Sequence, residues 1–440
     1  NIWWIVWLGL RSRGGNARLA IRKIRISPLN YLNFVFSNWR FLGFGAALQL
    51  FASPGHTYYI SIAANEIRQE FGLDHSEFGL LFGLATVAAG ATLMVVGRLI
   101  DRLDLRLYVA LVCIWMAGAA LLTSAAANVA LLGLGIFTLR LGGQGLMTGT
   151  AAVSMARYFP ERRGTAISIV SLGATVGLSS FPTIGVLLLT SIGWRAGFLS
   201  VGAVYAVALT PLILWLLKGH GERHRRYLEY HRSGGDGTKR RAPGNSLTEA
   251  LGDIRFYLIL PMLTAPSYIL TGFVFMQVFI ADQKGWSIQM YAAGFVGLAA
   301  GSLLFSMILG PIVDRVGAIR VMPFILLPLA VVLPLLALFD HPLIAWIFLF
   351  GMGATLGGNF TVFGAIWAEL WGTRHLGAIR SVGQALMVFA TALAPWTFGL
   401  MVDGGITVGG LAWINMGHVG IASLLAFLPW RVAPGARETR

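Results

Sequence analysis

Charge is what this 440-residue chain has least of: 12% of its residues are Asp, Glu, Lys or Arg, against roughly 25% in a soluble domain. With 56% apolar residues and a mean hydropathy of +0.73, too little polar surface remains to coat a water-facing globule, which excludes a soluble enzyme. A single cysteine, Cys113, excludes an intrachain disulfide. Acidic residues are scarcest, 18 against 33 basic, for a net charge of +15. In a soluble chain that excess would point to nucleic acid; in an apolar one it asks which side of a bilayer the basic residues occupy. The apolar runs hold no nucleophile with its base, no metal-ligand set and no phosphate loop, so neither catalysis nor a cofactor is expected.

What is abundant is long apolar sequence rich in Gly, Ala and Leu. Runs long enough for about 20 helical residues each, the length that crosses ~30 Å of hydrocarbon, number twelve. They fall near residues 41–64, 77–99, 105–126, 129–154, 164–191, 196–217, 256–281, 288–311, 319–338, 342–367, 377–400 and 411–429. Without strand-like alternation they read as helices, so an all-α membrane protein is expected. Twelve crossings place both termini on one side, and 29 of the 33 basic residues fall there, against Arg68, Arg195 and Lys284 on the other. In the short loops alone the division is ten to three, which predicts cytoplasmic termini, most simply at a bacterial inner membrane. Residues 1–38, with the short apolar run Ile2 to Leu10 and then a basic stretch, read as a cytoplasmic segment. Residues 218–254, polar and broken by Gly and Pro, read as a cytoplasmic linker between halves at 39–217 and 255–430, before a short tail from 431. The linker histidines His220, His224 and His231 lack the thiol or carboxylate spacing of a metal site.

An internal repeat is the clearest organising signal. An offset of 213 places Gly72 on Gly285, Gly97 on Gly310, Asp101 on Asp314 and Arg102 on Arg315, so the halves read as parallel copies related by an axis along the membrane normal. Gly97-Arg-Leu-Ile-Asp101-Arg102 and Gly310-Pro-Ile-Val-Asp314-Arg315 resemble the signature loop of the major facilitator superfamily, once per half. Arg140-Leu-Gly-Gly-Gln144-Gly145 resembles its second signature. The likeness spans residues 40–430 and implies a transporter of two six-helix repeats, with a central cavity lined by the first, fourth, seventh and tenth segments. It also implies a small-molecule substrate, with or without a coupling ion, and a monomer in the bilayer.

Several residues carry candidate chemistry. Gly97 and Gly310 permit close helix approach, and Asp101 and Asp314, beside Arg102 and Arg315, sit at helix ends where a carboxylate accepts from free N–H groups or pairs with an Arg. They form a candidate conformational latch. Arg140 is costly within a bilayer and needs a partner or a watery cavity; Gln144 follows one turn on, with Gly143, Gly145 and Gly149 leaving room beside it. Polar stripes could complete a substrate site: Gln49, Ser53 and His56; Thr264, Tyr268 and Thr271; Thr355 and Asn359. Pro54-Gly55 predicts a break in the first helix, and Glu369 is expected to pair with a cytoplasmic Arg. Ser53-Pro-Gly-His-Thr-Tyr and Arg374-His-Leu-Gly377 loosely resemble the monocarboxylate and oxalate/formate carriers, which implies an organic anion such as a carboxylate. The helix-5 Gly-Pro motif of drug/proton antiporters is missing after Gly173 and Gly177, which argues against an efflux pump. A non-transporting membrane scaffold is the reading from another class.

Overall fold

Residues 28–159, 162–225, 244–372 and 374–432 are described by the structure, a computed structural model. The run Ile2 to Leu10, His231 and residues 226–243 of the linker lie outside them. Among the described residues the architecture is helical throughout, with one isolated bridge between Gly244 and Gly372. Ten helices are long and apolar enough to cross a membrane. One of these, Arg163–Leu216, is 54 residues long, about 80 Å at 1.5 Å per residue and far more than one crossing needs. Gly193, at φ 78° and ψ 165°, breaks it into two. With the interrupted first helix, this accounts for the twelve expected segments: α1 (Pro28–Phe51), α2 (His75–Val96), α3 (Leu105–Ser124), α4 (Val129–Tyr158), α5 (163–192), α6 (194–216), α7 (Ile254–Phe275), α8 (Ile288–Val316), α9 (Ala318–Leu338), α10 (Leu343–Trp371), α11 (Leu376–Asp403) and α12 (Val408–Val432).

The repeat predicted from the sequence recurs in the backbone. Gly72 and Gly285 both adopt φ 65°, a left-handed turn that closes the short helices Ala64–Phe71 and Gln277–Gln283. Two residues before each glycine, the halves also share a clasp. Glu70 accepts from Arg195 Nε at 3.0 Å and from Trp194 Nε1 at 2.9 Å, and at the matching place Gln283 Oε1 accepts from the Val408 amide. The Arg195 guanidinium holds the Glu70 carboxyl below the usual carboxylate range.

Two boundaries differ from expectation. α1 begins at Pro28, well before residue 41, because Phe34 and Phe41 pack edge-on against Phe159 and keep the chain helical. The end of the linker is built rather than loose. Ser246 and Glu249 cap the helix Leu247–Gly252, the Asn245 amide donates to Trp371 O at 2.8 Å, and Trp371 Nε1 donates to Asp253.

We call the face where α1 begins and α12 ends terminal, and the other distal. The halves meet along α2 against α11 and α5 against α8. Near the distal face α2 and α11 touch backbone to backbone: a Cβ on Gly79 would lie 2.3 Å from Pro395 O, and one on Gly83 2.4 Å from Ala392 O. Cross-half hydrogen bonds also fall there. Asp403 at the end of α11 accepts from the His75 and Ser76 amides at 3.2 and 2.7 Å and from His75 Nδ1 at 2.9 Å; Asn65 donates to Asp282 at 3.2 Å. Toward the terminal face α2 and α8 instead expose Met94, Val95, Met307 and Ile308. The bundle is closed distally.

Candidate functional site

α1 breaks where the sequence places Pro54-Gly55. Proline lacks the N–H a helix would use, so Ser53–Gly55 tightens into a 3-10 turn and His56 becomes extended at φ −90°, ψ 155°. This turn lies against α4. A Cβ on Gly55 would be 2.3 Å from Leu139 O and 2.8 Å from Gly143, so only glycine fits. α4 answers with an irregularity of its own: Leu141–Met147, with three glycines, widens into a π-helical turn directly after Arg140, a distortion often found at functional sites. Two breaks in register thus face each other, and Arg140 stands between them.

Arg140 is 3% exposed. Its Nη1 donates to Thr57 Oγ1 at 3.1 Å and, at 3.5 Å, to Gly55 O, a carbonyl at the broken turn. The guanidinium lies 4.7 Å from the Phe82 ring centroid, a cation–π contact worth about 2 kcal/mol when desolvated. Nε and Nη2 are buried with no partner, and among the described residues no carboxylate pairs with Arg140. A guanidinium has five N–H donors and suits a planar, bidentate acceptor.

The other predicted residues divide. His56 is half-buried and stacks on Tyr58, centroids 5.3 Å apart, and the Tyr58 hydroxyl donates to Ser53 at 3.0 Å. Gln49 is half-buried one turn earlier, and Gln144 is exposed on the π turn. Gly143 and Gly145 leave no empty room: Gly143 is filled by Ala52 and Gly55, Gly145 by Leu93, and only Gly149 is open. Tyr268 stands apart. Its hydroxyl bonds Thr397 of α11 at 2.7 Å and its ring meets His418 of α12, in a cavity of ≈ 710 Å³ between α7, α11 and α12 that Thr264 also lines. Thr355 and Asn359 are buried in α10, each with an oxygen lacking a partner.

Three residues were not anticipated. Thr57 adjoins the predicted break, Phe82 carries no polar signal at all, and Gln277 is an uncharged amide past the end of α7. Gln277 is fully buried, and its Nε2 donates across the halves to Tyr58 O at 3.1 Å and Ser61 Oγ at 2.8 Å. It ties the broken helix to α7.

The signature loops match in sequence but not in partners. Asp101 forms an ion pair with Arg157 of α4, whose Nη1 also donates to Ile100 O at 3.3 Å. Asp314 is exposed and has no ion pair among the described residues; Arg102 and Arg315 are exposed as well. Neither loop glycine allows a close approach: Gly97 meets only Leu93 of its own helix, and Gly310 meets nothing within 4 Å. In the second half the work passes to Gly317, at φ 94°, and to Glu369, which accepts from the Ala318 amide instead of pairing with an Arg. A carboxylate there satisfies a free N–H at the start of α9. His220 and His224 gather around Tyr158, and among the described residues no three potential metal ligands cluster.

A helical bundle of two matched halves, apolar around its girth and with a buried arginine facing a broken helix, is a multi-pass integral membrane protein of transporter architecture. The sequence profile of the Major Facilitator Superfamily matches residues 42–395, and the chain belongs to that family. It is 30% identical over 169 residues to a protein described as the probable sulfoacetate transporter SauU of Cupriavidus necator, across 38% of this chain and 39% of that one. It is 27% identical over 179 residues to an MFS-type efflux pump of Mycolicibacterium smegmatis, across 38% and 41%. The matches thus span about two fifths of these relatives' length. Among solved structures it is similar to a bacterial homologue of the human lysosomal transporter Spinster in its inward-facing, occupied form, with TM-score 0.66, 19% identity, and 90% and 97% of the two chains covered. The unoccupied form gives 0.64.

Proposed function

We propose that this protein moves a small organic anion, a carboxylate or sulfonate, across the membrane by alternating access, with Arg140 holding the anion's charge. The carrying observation is the buried guanidinium with two unpartnered nitrogens and, among the described residues, no carboxylate paired with it. An uncompensated buried charge is costly, and a planar oxyanion would supply both the charge and the acceptors. The partial likeness to a sulfoacetate transporter supports the same class of substrate. Gln49 and His56 lie on the broken helix beside Arg140 and would fix the shape of the ligand, with Gln144 and Asn359 as outer members; Tyr268 belongs to a separate cavity and drops out of the set.

The test is ligand affinity on monodisperse protein, screened by thermal shift against small carboxylates and sulfonates. Arg140→Lys keeps the charge but loses the planar fork, and should weaken binding by about tenfold, ~1.4 kcal/mol. Arg140→Ala should remove binding. Unaltered affinity in the alanine variant would exclude Arg140 and the argument for an anion with it.

Orientation follows the charge bias: the terminal face is cytoplasmic, and the distally closed bundle opens inward. In a Cys113→Ser background, a cysteine at Asp74 should react with an impermeant reagent in intact cells and one at Gly221 should not. The opposite pattern would invert the topology.

A further inference from the structure

The terminal end of the N-terminal half holds a cavity of ≈ 540 Å³ bounded by the start of α1, the end of α4 and the chain leaving α6. Arg40, Arg157, Lys218 and Arg223 line it against one carboxylate, Glu222. Arg157 shares its charge with Asp101, while Arg40 and Lys218 form no ion pair among the described residues. The Arg40 guanidinium lies 4.8 Å from the Trp215 ring centroid and donates to the Trp215 carbonyl, yet its Nε is buried and unpartnered. Arg223 stacks 4.2 Å from the Phe41 ring and reaches Asn38 Oδ1 at 3.4 Å.

Two further observations fix the character of the site. Trp39 packs edge-on against Trp215, with centroids 5.7 Å apart, and tryptophans beside arginines mark headgroup depth in a bilayer. The lip of the cavity is apolar and bare: Phe36 is 70% and Trp39 50% exposed, and Leu32, one turn back on the same face, is 50% exposed. A cationic floor under an apolar lip at the membrane boundary has the shape of an amphiphile.

We propose that this cavity seats the phosphate headgroup of an anionic glycerophospholipid from the leaflet on the terminal face, with its acyl chains lying along Leu32, Phe36 and Trp39. A soluble phosphate compound would use the floor and leave the lip in contact with nothing it could bury. The cavity shares no residue with the Arg140 site, so lipid retention reads this site alone.

Native mass spectrometry of delipidated full-length protein would test this, with phosphatidylglycerol, phosphatidylcholine and inorganic phosphate as probes. Phosphatidylglycerol should be retained about tenfold better than phosphatidylcholine, and Lys218→Gln with Arg223→Gln should abolish that preference. Lys218→Arg should keep it, which separates charge from damage to the fold. Equal retention of the two lipids, or a preference that survives the double variant, overturns the proposal. So does displacement of phosphatidylglycerol by millimolar inorganic phosphate, which would mark a site for soluble phosphates.

Discussion

At the scale of single residues, His220 shows how burial becomes a pH response. Just outside the membrane-spanning part of α6, its ring is 1% exposed, stacked on Phe41 and set edge-on to Tyr158. Burial pushes its pKa from 6.5 down to about 4. As pH falls through this window the unfolded chain takes up a proton that the folded one refuses, so stability present above pH 6.5 is progressively lost toward pH 4. His220→Phe keeps the stack and removes the proton site. Melting temperatures in detergent should therefore fall less steeply for the variant between pH 7 and pH 4.5; equal slopes would show that His220 takes no part. Arg140 was legible in the sequence because a charge in an apolar run needs a reason. Its partners were not, because Thr57 and Phe82 are ordinary residues for a membrane helix and only the opposed breaks in α1 and α4 bring them to it.

Among elements, proline and glycine spoke most clearly. Pro54 foretold the interruption of α1, and the positive φ of Gly72 and Gly285 confirms a repeat first seen as letters. The π turn in α4 was hidden, since three glycines permit a wider turn without dictating it. The two signature loops, alike as letters, differ in their partners. Both aspartates are exposed, but only Asp101 has an ion pair among the described residues, and the packing expected of Gly97 and Gly310 is absent. The loops should respond unequally to substitution. Asp101→Asn should lower the melting temperature of the purified protein, by an amount matching about 0.5 to 1 kcal/mol for a half-exposed pair, and Asp314→Asn should leave it unchanged. Equal effects from both would restore the symmetric latch.

For the whole molecule, the α2–α11 side of the distal closure centres on one carboxylate, Asp403. Arg68 Nη1 meets His75 Nε2 at 2.9 Å, and because a guanidinium only donates, Nε2 must accept, which leaves Nδ1–H to donate to Asp403. Asp403 also takes two amides at the start of α2, where a negative charge is favoured. Asp403→Asn should weaken this clamp by roughly 1 to 2 kcal/mol, about a tenfold shift in the balance of states. Spin labels at the exposed Gln69 and Gly404 should then report a new, longer separation; a single unchanged distance would mean that the clamp does not govern closure. None of this was visible in the sequence, because Asp403 and His75 lie in different halves and neither belongs to a repeated motif. The clamp also has no twin. By the offset of 213, the counterpart of Asp403 in α5 is Thr190, whose hydroxyl stays within its own helix, and the α5–α8 seam there is apolar, built on Ile62, Val186 and Ala292. One seam is bolted by charge and the other merely greased, as in a door with its lock on one edge and its hinge on the other. A motion that released Asp403 would swing about α5 and α8, so the distal mouth should open from the α2–α11 side first.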